Sequence, residues 1–224
     1  MEKKQSNGLI IFAKYPSKGR VKTRLANGIG DDNALLFYNK CAAYIFNEAS
    51  KLSNIKTYLF YEQPVDEIKM KEWVGQDFEF RPQLYADLGN KMCDSFKFVF
   101  NCNADKAVIV GTDVPDLTAQ IIEKSFKLLD KNDLVISPSP DGGYNLLGMN
   151  KLHKNLFENI IWSSSEVLNK TLEIARRNNL KINIMDELMD IDNVSELLDW
   201  LSKSDEGNIH LKNQLKDIVD LDED

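Results

Sequence analysis

Several residue types that mark common protein classes are scarce in this sequence. There are three cysteines, and no two of them form the close C-x-x-C pair that binds zinc or exchanges disulfides. We expect Cys41, Cys93 and Cys102 to be buried as small apolar side chains. The two histidines, His153 and His210, do not neighbour an evident nucleophile, and no G-x-S-x-G motif is present. Hydrolysis through a Ser–His or Cys–His pair is therefore disfavoured.

Long apolar runs are also absent from the sequence. The longest ones, such as Gly8–Ala13 and Ala107–Gly111, have the length of a strand, whereas a membrane-spanning helix needs about 20 apolar residues. The segment Met1–Gly8 is polar and lacks the apolar stretch of a secretory signal. We therefore expect a cytoplasmic protein that has no membrane partner.

Composition and charge narrow the class further. The chain has 224 residues, of which 43% are hydrophobic and 28% charged, as is usual for globular proteins. This length predicts a single domain over residues 1–224. The formal net charge is −7, and an acidic C-terminal tail, residues 205–224, contributes seven acids and two lysines. An acidic chain without a general basic face is not expected to bind nucleic acid.

Short β-branched runs alternate with longer segments of helical periodicity along the chain. The predicted strands are Leu9–Ala13, Thr57–Tyr61, Phe78–Gln83, Ala107–Val110, Leu134–Ser137, Tyr144–Met149 and Lys181–Met185. The predicted helices are Asp32–Leu52, Val65–Val74, Leu88–Phe100, Thr118–Leu129, Ser163–Asn178 (with a capping box at Ser163–Glu166) and Asn193–Leu201. This alternation predicts an α/β fold of three layers, α/β/α, around a mainly parallel central sheet. Ligands of such sheets bind beyond the carboxyl ends of the strands, so the functional residues are expected there.

The segment after the first predicted strand, Lys14–Arg24, is strongly basic and contains no acid. Its cations are Lys14, Lys18, Arg20, Lys22 and Arg24. Pro16 and Gly19 favour a fixed turn whose N–H groups can bind an anion beside these cations. The segment is not a Walker A motif, because Lys22 and Thr23 follow valine rather than glycine. We interpret it as a phosphate site, and a solvated basic loop is the alternative.

A carboxylate follows the buried strand that ends at Val110. Asp113 stands close to Gly111, which leaves room for a ligand, and to Pro115, which stiffens the chain. A carboxylate near a phosphate site suits Mg²⁺ or Mn²⁺, since these ions bridge protein acids and phosphate oxygens. The alternative is a helix cap or a loop hydrogen bond.

A glycine pair follows the next strand. Asp141, Gly142 and Gly143 are typical of a hairpin turn, which explains them without any function. The functional alternative is that the glycines admit a substrate, that Asp141 binds or activates a hydroxyl, and that Tyr144 stacks on the substrate.

Two further features lie in the C-terminal third of the chain. Asp190 and Asp192 are two residues apart, so in an extended segment they point the same way and can hold a divalent cation. Helix capping is the alternative for this pair. Trp162 precedes a predicted helix and is either a core residue or an aromatic residue of the acceptor site.

Taken together, these segments resemble the DUF2064 family, whose members are described as glycosyltransferase-like and as similar to 2-phospholactate guanylyltransferase. The resemblance covers roughly residues 8–201, and it depends on five segments that occur in the same order. These segments are Phe12–Leu25, Gly111–Leu117, Pro140–Tyr144, Ile161–Ser163 and Asp190–Asp192.

The resemblance implies a fold of the nucleotide-diphospho-sugar transferase (GT-A) type and a role for each segment. The implied nucleotide-binding residues are Lys14, Gly19, Lys22, Thr23, Arg24 and Gly111. The implied acceptor-binding residues are Gly142, Gly143, Tyr144 and Trp162, and the implied catalytic residues are Asp113 and Asp141. The metal, Mg²⁺ or Mn²⁺, is expected on Asp113, Asp190 and Asp192.

Two departures from the family pattern leave the reaction open. Lys91 stands where the family usually has arginine, and Asp113 is followed by Val-Pro rather than completing the D-x-D of sugar-nucleotide transferases. The expected function is a metal-dependent transferase with a nucleotide-activated donor and a small-molecule acceptor. Glycosyl transfer is slightly favoured. The alternatives are guanylyl or cytidylyl transfer and non-catalytic nucleotide binding.

Overall fold

The computed structural model describes residues 6–203 and 208–218. Its strands are β1 (Asn7–Ala13), β2 (Ile55–Tyr61), β3 (Glu79–Pro82), β4 (Lys106–Val110), β5 (Leu134–Pro138), β6 (Tyr144–Met149) and β7 (Ile182–Ile184). Its α-helices are α1 (Thr23–Ser50), α2 (Glu67–Val74), α3 (Leu88–Asn101), α4 (Ala119–Leu128), α5 (Val167–Arg177), α6 (Val194–Ser202) and α7 (Ile209–Leu215). No helix in this part of the chain has the length and apolar character needed to cross a membrane.

The strands form one seven-stranded sheet in the order β3-β2-β1-β4-β6-β5-β7. All neighbouring pairs are parallel except those of β6, which runs antiparallel to both β4 and β5. Ala13 pairs with Tyr61, so β1 and β2 end side by side. Because β6 is reversed, its first residue, Tyr144, lies opposite Pro138 at the same edge. The residues that follow β1, β2 and β4 therefore lie at the carboxyl edge of the sheet, together with the residues that begin β6.

Helices cover both faces of the sheet. Leu9 and Ile11 of β1 pack with side chains of α1, α2 and α4, whereas Ile10 packs with side chains of α3 and α5. A strand buried on both faces has no polar face, which explains its continuous apolar sequence. The predicted three-layer α/β fold with a mainly parallel sheet is therefore confirmed.

The C-terminal helices pack against the first half of α1. Trp200 of α6 and Leu211 and Leu215 of α7 share a buried cluster with Leu25 and Phe37. Residues 208–218 are the described part of the acidic tail predicted over 205–224, so this part contributes apolar side chains to the core. The remainder of that tail lies outside the described residues.

Helix α1 begins earlier than the sequence pattern predicts. It starts at Thr23 rather than Asp32, and Gly30 interrupts its regular geometry with φ 79° and ψ 160°. This positive φ suits glycine, which has no Cβ to clash with the backbone. The basic segment therefore shortens to 14–22, and Thr23 and Arg24 stand in the first turn of the helix.

Two local predictions are wrong. The predicted capping box at Ser163–Glu166 is absent, since α5 begins at Val167 and Ser164 Oγ donates back to the Ile161 carbonyl at 2.7 Å. The box formed by Asn193 and Glu196 at α6 is present as predicted. All three cysteines were expected to be buried. Cys41 is buried, whereas Cys93 is partly buried and Cys102 is exposed.

Candidate active site

A cavity of about 570 Å³ opens at the carboxyl edge of the sheet. Its size is typical of small-molecule sites. Five cations line it: Lys14, Arg20, Lys22, Arg24 and Lys91. Four carboxylates line it as well: Glu62, Asp113, Asp190 and Asp192. The cavity wall thus carries charges of both signs, with one formal positive charge in excess, in a protein whose net charge is −7.

Three of these carboxylates form a cluster. Asp113 follows β4, and Asp190 and Asp192 belong to the extended segment between β7 and α6. One oxygen from each lies within 4.8 Å of the others. Oxygen ligands of a shared Mg²⁺, at about 2.1 Å from the ion, lie up to about 4 Å apart, so the cluster fits Mg²⁺ or Mn²⁺ after a small adjustment. The donor set is also correct for these ions, because all three ligands are hard carboxylate oxygens.

Lys22 is seated against this cluster. Its Nζ lies 2.9 Å from Oδ2 of Asp113 and 2.7 Å from Oδ1 of Asp192, and its side chain is 4% exposed. Burial disfavours the ammonium ion, but the charges of Asp113 and Asp192 outweigh burial, so the pKa of Lys22 lies above its ordinary value. The lysine is therefore a permanent cation within the acid cluster.

Asn145 holds the third acid in place. Its Nδ2 donates to the carbonyl of Leu188 at 2.8 Å and to Oδ1 of Asp190 at 3.2 Å. Burial raises the pKa of the Asp190 carboxyl above its usual value, and the hydrogen bond from Asn145 opposes that shift. Sequence reasoning missed Asn145, although its position directly after Tyr144 at the carboxyl edge was a usable signal.

Tyr38 of α1 ties together two loops under the cavity. Its hydroxyl donates to the carbonyl of Lys14 at 2.8 Å, accepts from the backbone nitrogen of Lys14 at 3.0 Å and lies 3.1 Å from Oγ1 of Thr112. Burial raises the pKa of Tyr38 to about 12, so the phenol stays protonated. Sequence reasoning counted Tyr38 only among the apolar residues of a helix, and its pattern gave no sign of this role.

The end of the cavity near β2 and β3 carries Glu62 and Gln83, which sequence reasoning also missed. The Glu62 carboxylate lies 3.7 Å from Nζ of Lys14 and 3.6 Å from Nζ of Lys91. Both missed residues directly follow strands, which is the signal that led to Asp113. Lys91, which departs from the family arginine, is thus a member of the cavity wall.

Comparisons with known proteins give the family. The family described as "Uncharacterized protein conserved in bacteria (DUF2064)" matches residues 45–164, more than half of the chain. The chain belongs to the DUF2064 family. The matched range contains Asp113, whereas Lys22, Asp190 and Asp192 fall outside it.

One curated relative of this DUF2064 protein is the 2-phospho-L-lactate guanylyltransferase of Methanocaldococcus sp. (strain FS406-22). The two are 34% identical over 115 residues, which is 50% of this chain and 48% of the relative. The chain thus spans about half the length of the curated relative that it matches.

Solved structures confirm the fold type. A protein of Desulfovibrio desulfuricans G20, provisionally named a nucleotide-diphospho-sugar transferase, is 26% identical with a TM-score of 0.90, and the match covers 95% of each chain. The 4-diphosphocytidyl-2C-methyl-D-erythritolsynthase of Anaerococcus prevotii DSM 20548 is 11% identical with a TM-score of 0.60, over 94% of this chain and 100% of that one. The second likeness concerns the fold alone. The expected nucleotide-diphospho-sugar transferase (GT-A) fold of this DUF2064 protein is confirmed.

Some predicted site residues of this DUF2064 protein lie outside the cavity wall. Gly19 has φ +72° and shapes the turn of the basic segment, and Lys18 pairs with Asp32 at 2.7 Å on the exposed side. The exposed Asp141 accepts a 2.9 Å hydrogen bond from the nitrogen of Gly143. These contacts match the hairpin interpretation of Asp141.

The remaining predicted acceptor residues pack against other parts of the protein. A Cβ on Gly142, whose φ is +88°, would lie 2.1 Å from the carbonyl oxygen of Ser165, so this glycine allows the turn to approach the chain before α5. Trp162 lies over Gly89 and stacks on Phe157 with ring centroids 6.4 Å apart. These contacts match the core interpretation of the tryptophan.

Tyr144 lies at the boundary between the cavity and the packed core. It lines the cavity, yet its ring belongs to the cluster under α3 and α5. Burial raises the pKa of its hydroxyl above the usual range. Stacking on a substrate would require the ring to leave this packing.

Proposed function

We propose that this protein is a metal-dependent nucleotidyltransferase that uses a nucleoside triphosphate and a small anionic acceptor. The observation that carries the proposal is the contact of Lys22 with Asp113 and Asp192, because it joins the basic segment and the acid cluster in one cavity. The guanylyltransferase name of the curated relative supports nucleotidyl transfer over other reactions.

The proposed donor site uses the basic segment and the acid cluster. Arg20 and Arg24 are placed to donate bidentate hydrogen bonds to phosphate oxygens, and Lys14 supplies a point charge. Mg²⁺ or Mn²⁺ on Asp113, Asp190 and Asp192 would neutralise charge on the triphosphate. In this proposal Thr23 and Gly111 also line the donor site, and Gly19 shapes the turn of the basic segment outside the cavity wall.

The proposed reaction is an in-line displacement at the α-phosphorus. An acceptor oxygen forms a bond to that phosphorus, the bond from phosphorus to the bridging oxygen of the β-phosphate breaks, and pyrophosphate leaves with the electron pair. If the acceptor oxygen belongs to a phosphate or carboxylate, it carries no proton at neutral pH, and no general base is required. Positioning and charge stabilisation then supply most of the acceleration.

The acceptor is assigned to the end of the cavity at β6. Tyr144 and Asn145 line that end, and the turn containing Asp141, Gly142 and Gly143 closes the hairpin behind it. In this proposal Asp141 and Trp162 support the acceptor end through the packing described above.

Glycosyl transfer is the second candidate. The provisional name of the D. desulfuricans protein favours it, since the match covers 95% of that chain with a TM-score of 0.90. The same cations and metal would then stabilise a departing nucleoside diphosphate.

Thermal-shift measurements with GTP, CTP and sugar nucleotides, each with and without Mg²⁺ or Mn²⁺, test these functions. We expect GTP or CTP to stabilise the protein only with metal, and pyrophosphate release to follow when an acceptor such as a phosphorylated hydroxy acid is added. Stabilisation by sugar nucleotides but not by GTP or CTP would favour glycosyl transfer. Stabilisation that ignores metal would favour non-catalytic nucleotide binding.

Matched lysine variants sharpen this test. Lys14→Met removes a cation from the cavity wall, whereas Lys18→Met removes one that pairs with Asp32 outside the cavity. We expect the first variant to weaken nucleotide binding and the second to leave it unchanged. Equal effects would contradict the proposed donor site.

A further inference from the structure

The ammonium group of Lys22 is in direct contact with the acid cluster. Its ammonium nitrogen is within hydrogen-bond distance of two of the three clustered carboxylates, at 2.9 Å and 2.7 Å. Carboxylate oxygens that bind this nitrogen cannot bind a metal ion with the same lone pairs. The lysine and an ion therefore compete for Oδ2 of Asp113 and Oδ1 of Asp192.

The backbone at Lys22 shows that this placement is imposed by its surroundings. The residue precedes α1 in a left-handed conformation, with φ 48° and ψ 44°, and its side chain makes no cap for the helix. A residue other than glycine in this conformation is disfavoured and persists where contacts overdetermine it. The two ion pairs are such contacts, and the side chain is 4% exposed.

We propose that Lys22 is an internal cation that fills the acid cluster in the metal-free protein and is displaced by the divalent ion. The four methylene groups of the side chain allow its ammonium to swing from the carboxylates to the neighbouring donor phosphates. Before the exchange Lys22 neutralises part of the charge of the three clustered acids, and after it the divalent ion does. This inference rests on the proposed function, because it takes the acid cluster as a metal site.

Arg24 provides the matched comparison. Its Nη1 lies 3.6 Å from Oδ2 of Asp192, and its side chain is 81% exposed, so it carries the same charge near the same acid without occupying the cluster. A purely long-range electrostatic effect on the metal would be similar for the two cations. Occupation of the ligand position predicts a much larger effect for Lys22.

The competition is measured by titrating the protein with Mn²⁺ and monitoring the electron paramagnetic resonance signal of the free ion. The measurement needs neither nucleotide nor an activity assay. We expect Lys22→Met to bind Mn²⁺ at least about tenfold more tightly than the unaltered protein, and Arg24→Met to change the affinity by less than about threefold. Binding of Mn²⁺ to Lys22→Met but not to the unaltered protein would overturn the exchange, because the ion then does not displace the lysine.

The second measurement is lysine acylation of the unaltered protein, detected by mass spectrometry. It needs no variant, so its result does not depend on whether a variant folds. We expect Lys22 to be protected without metal and to become reactive when Mn²⁺ saturates the protein. Lys18, which is 57% exposed and outside the cavity, should react equally in both conditions.

The outcomes separate this inference from the proposed function. Equal tightening in Lys22→Met and Arg24→Met, or unchanged protection of Lys22 in Mn²⁺-saturated protein, overturns the exchange and leaves a metal-dependent transferase standing. Failure of both the unaltered protein and Lys22→Met to bind Mn²⁺ overturns the exchange and the metal site together. Nucleotide binding in the thermal-shift experiment is judged independently of either result.

Discussion

The indole nitrogen of Trp200 donates a 2.7 Å hydrogen bond to Oδ1 of Asp116, three residues beyond Asp113. The same oxygen accepts a 2.7 Å hydrogen bond from Nδ2 of Asn208. The C-terminal helices are thereby tied to the loop that carries the first acid of the cluster. Packing of α6 and α7 and the position of Asp113 are thus connected through one carboxylate.

Trp200→Phe should keep an aromatic ring in the core, remove the donor to Asp116 and leave a small cavity where the rest of the indole was. A hydrogen bond to a charged group contributes about 1.5–3 kcal/mol, and we expect the free energy of unfolding to fall by at least that amount because the cavity adds to the loss. Urea denaturation followed by circular dichroism measures it. Trp73→Phe is the control, since the Trp73 indole donates to the neutral amide oxygen of Asn39 at 3.0 Å and should cost about 1 kcal/mol. An equal loss in the two variants would contradict a charge-assisted bond.

Asp113→Asn should abolish the metal-dependent part of the nucleotide thermal shift while the protein stays folded. The amide keeps the shape of the side chain but removes the charge that attracts Mg²⁺ and Lys22. Asp186→Asn serves as the control, because Asp186 is 95% exposed and pairs with Lys124 at 3.4 Å. If the metal dependence survives in Asp113→Asn, Asp113 is not a ligand.

Tyr38→Phe should destabilise the protein by about 1–3 kcal/mol, because the backbone nitrogen and carbonyl of Lys14 lose their shared partner. Nucleotide affinity should fall as well, since the start of the basic segment is no longer fixed. Tyr85→Phe is a control at a fully exposed tyrosine and should change neither quantity. Denaturation and nucleotide titration of both variants check this, and unchanged nucleotide affinity in Tyr38→Phe would sink the proposed role.

Gly89→Ala should disrupt the packing of Trp162. The added Cβ would lie 2.1 Å from Nε1 of the indole, so the ring must move, at a cost of about 1–3 kcal/mol. In a Trp162→Ala background the same change should cost much less, which a double-mutant cycle of unfolding free energies measures. If the losses in unfolding free energy of the two single variants add in the double variant, Gly89 and Trp162 do not interact.

The sheet was predictable because local sequence determines it. Runs such as Leu9–Ala13 and Ala107–Val110 are apolar on both faces, and the alternation with helices fixes a parallel arrangement. The strand ends then pointed to Asp113. The start of α1 was missed because Arg24 in its first turn continues a basic run that resembles a loop, and the capping box was predicted wrongly because Ser164 bonds backward to Ile161.

The most informative contacts of the site were beyond the reach of sequence patterns. Lys22 and Asp192 meet across 170 positions of the chain, and no local rule pairs a particular lysine with a particular acid. Tyr38 and Asn145 act through polar atoms on residues that otherwise pack with the core or pair in a strand. Such pairings follow from the order of strands in the sheet.

The reversed direction of β6 places one hairpin beside the cavity. The turn between β5 and β6 lies at the carboxyl edge, and neither strand carries Lys22 or Asp113. Insertions or deletions in this turn therefore alter the local shape without reordering the strands beside it. Under the proposed function, the acceptor end could therefore change shape in this turn as long as Asn145, which holds Asp190, is kept.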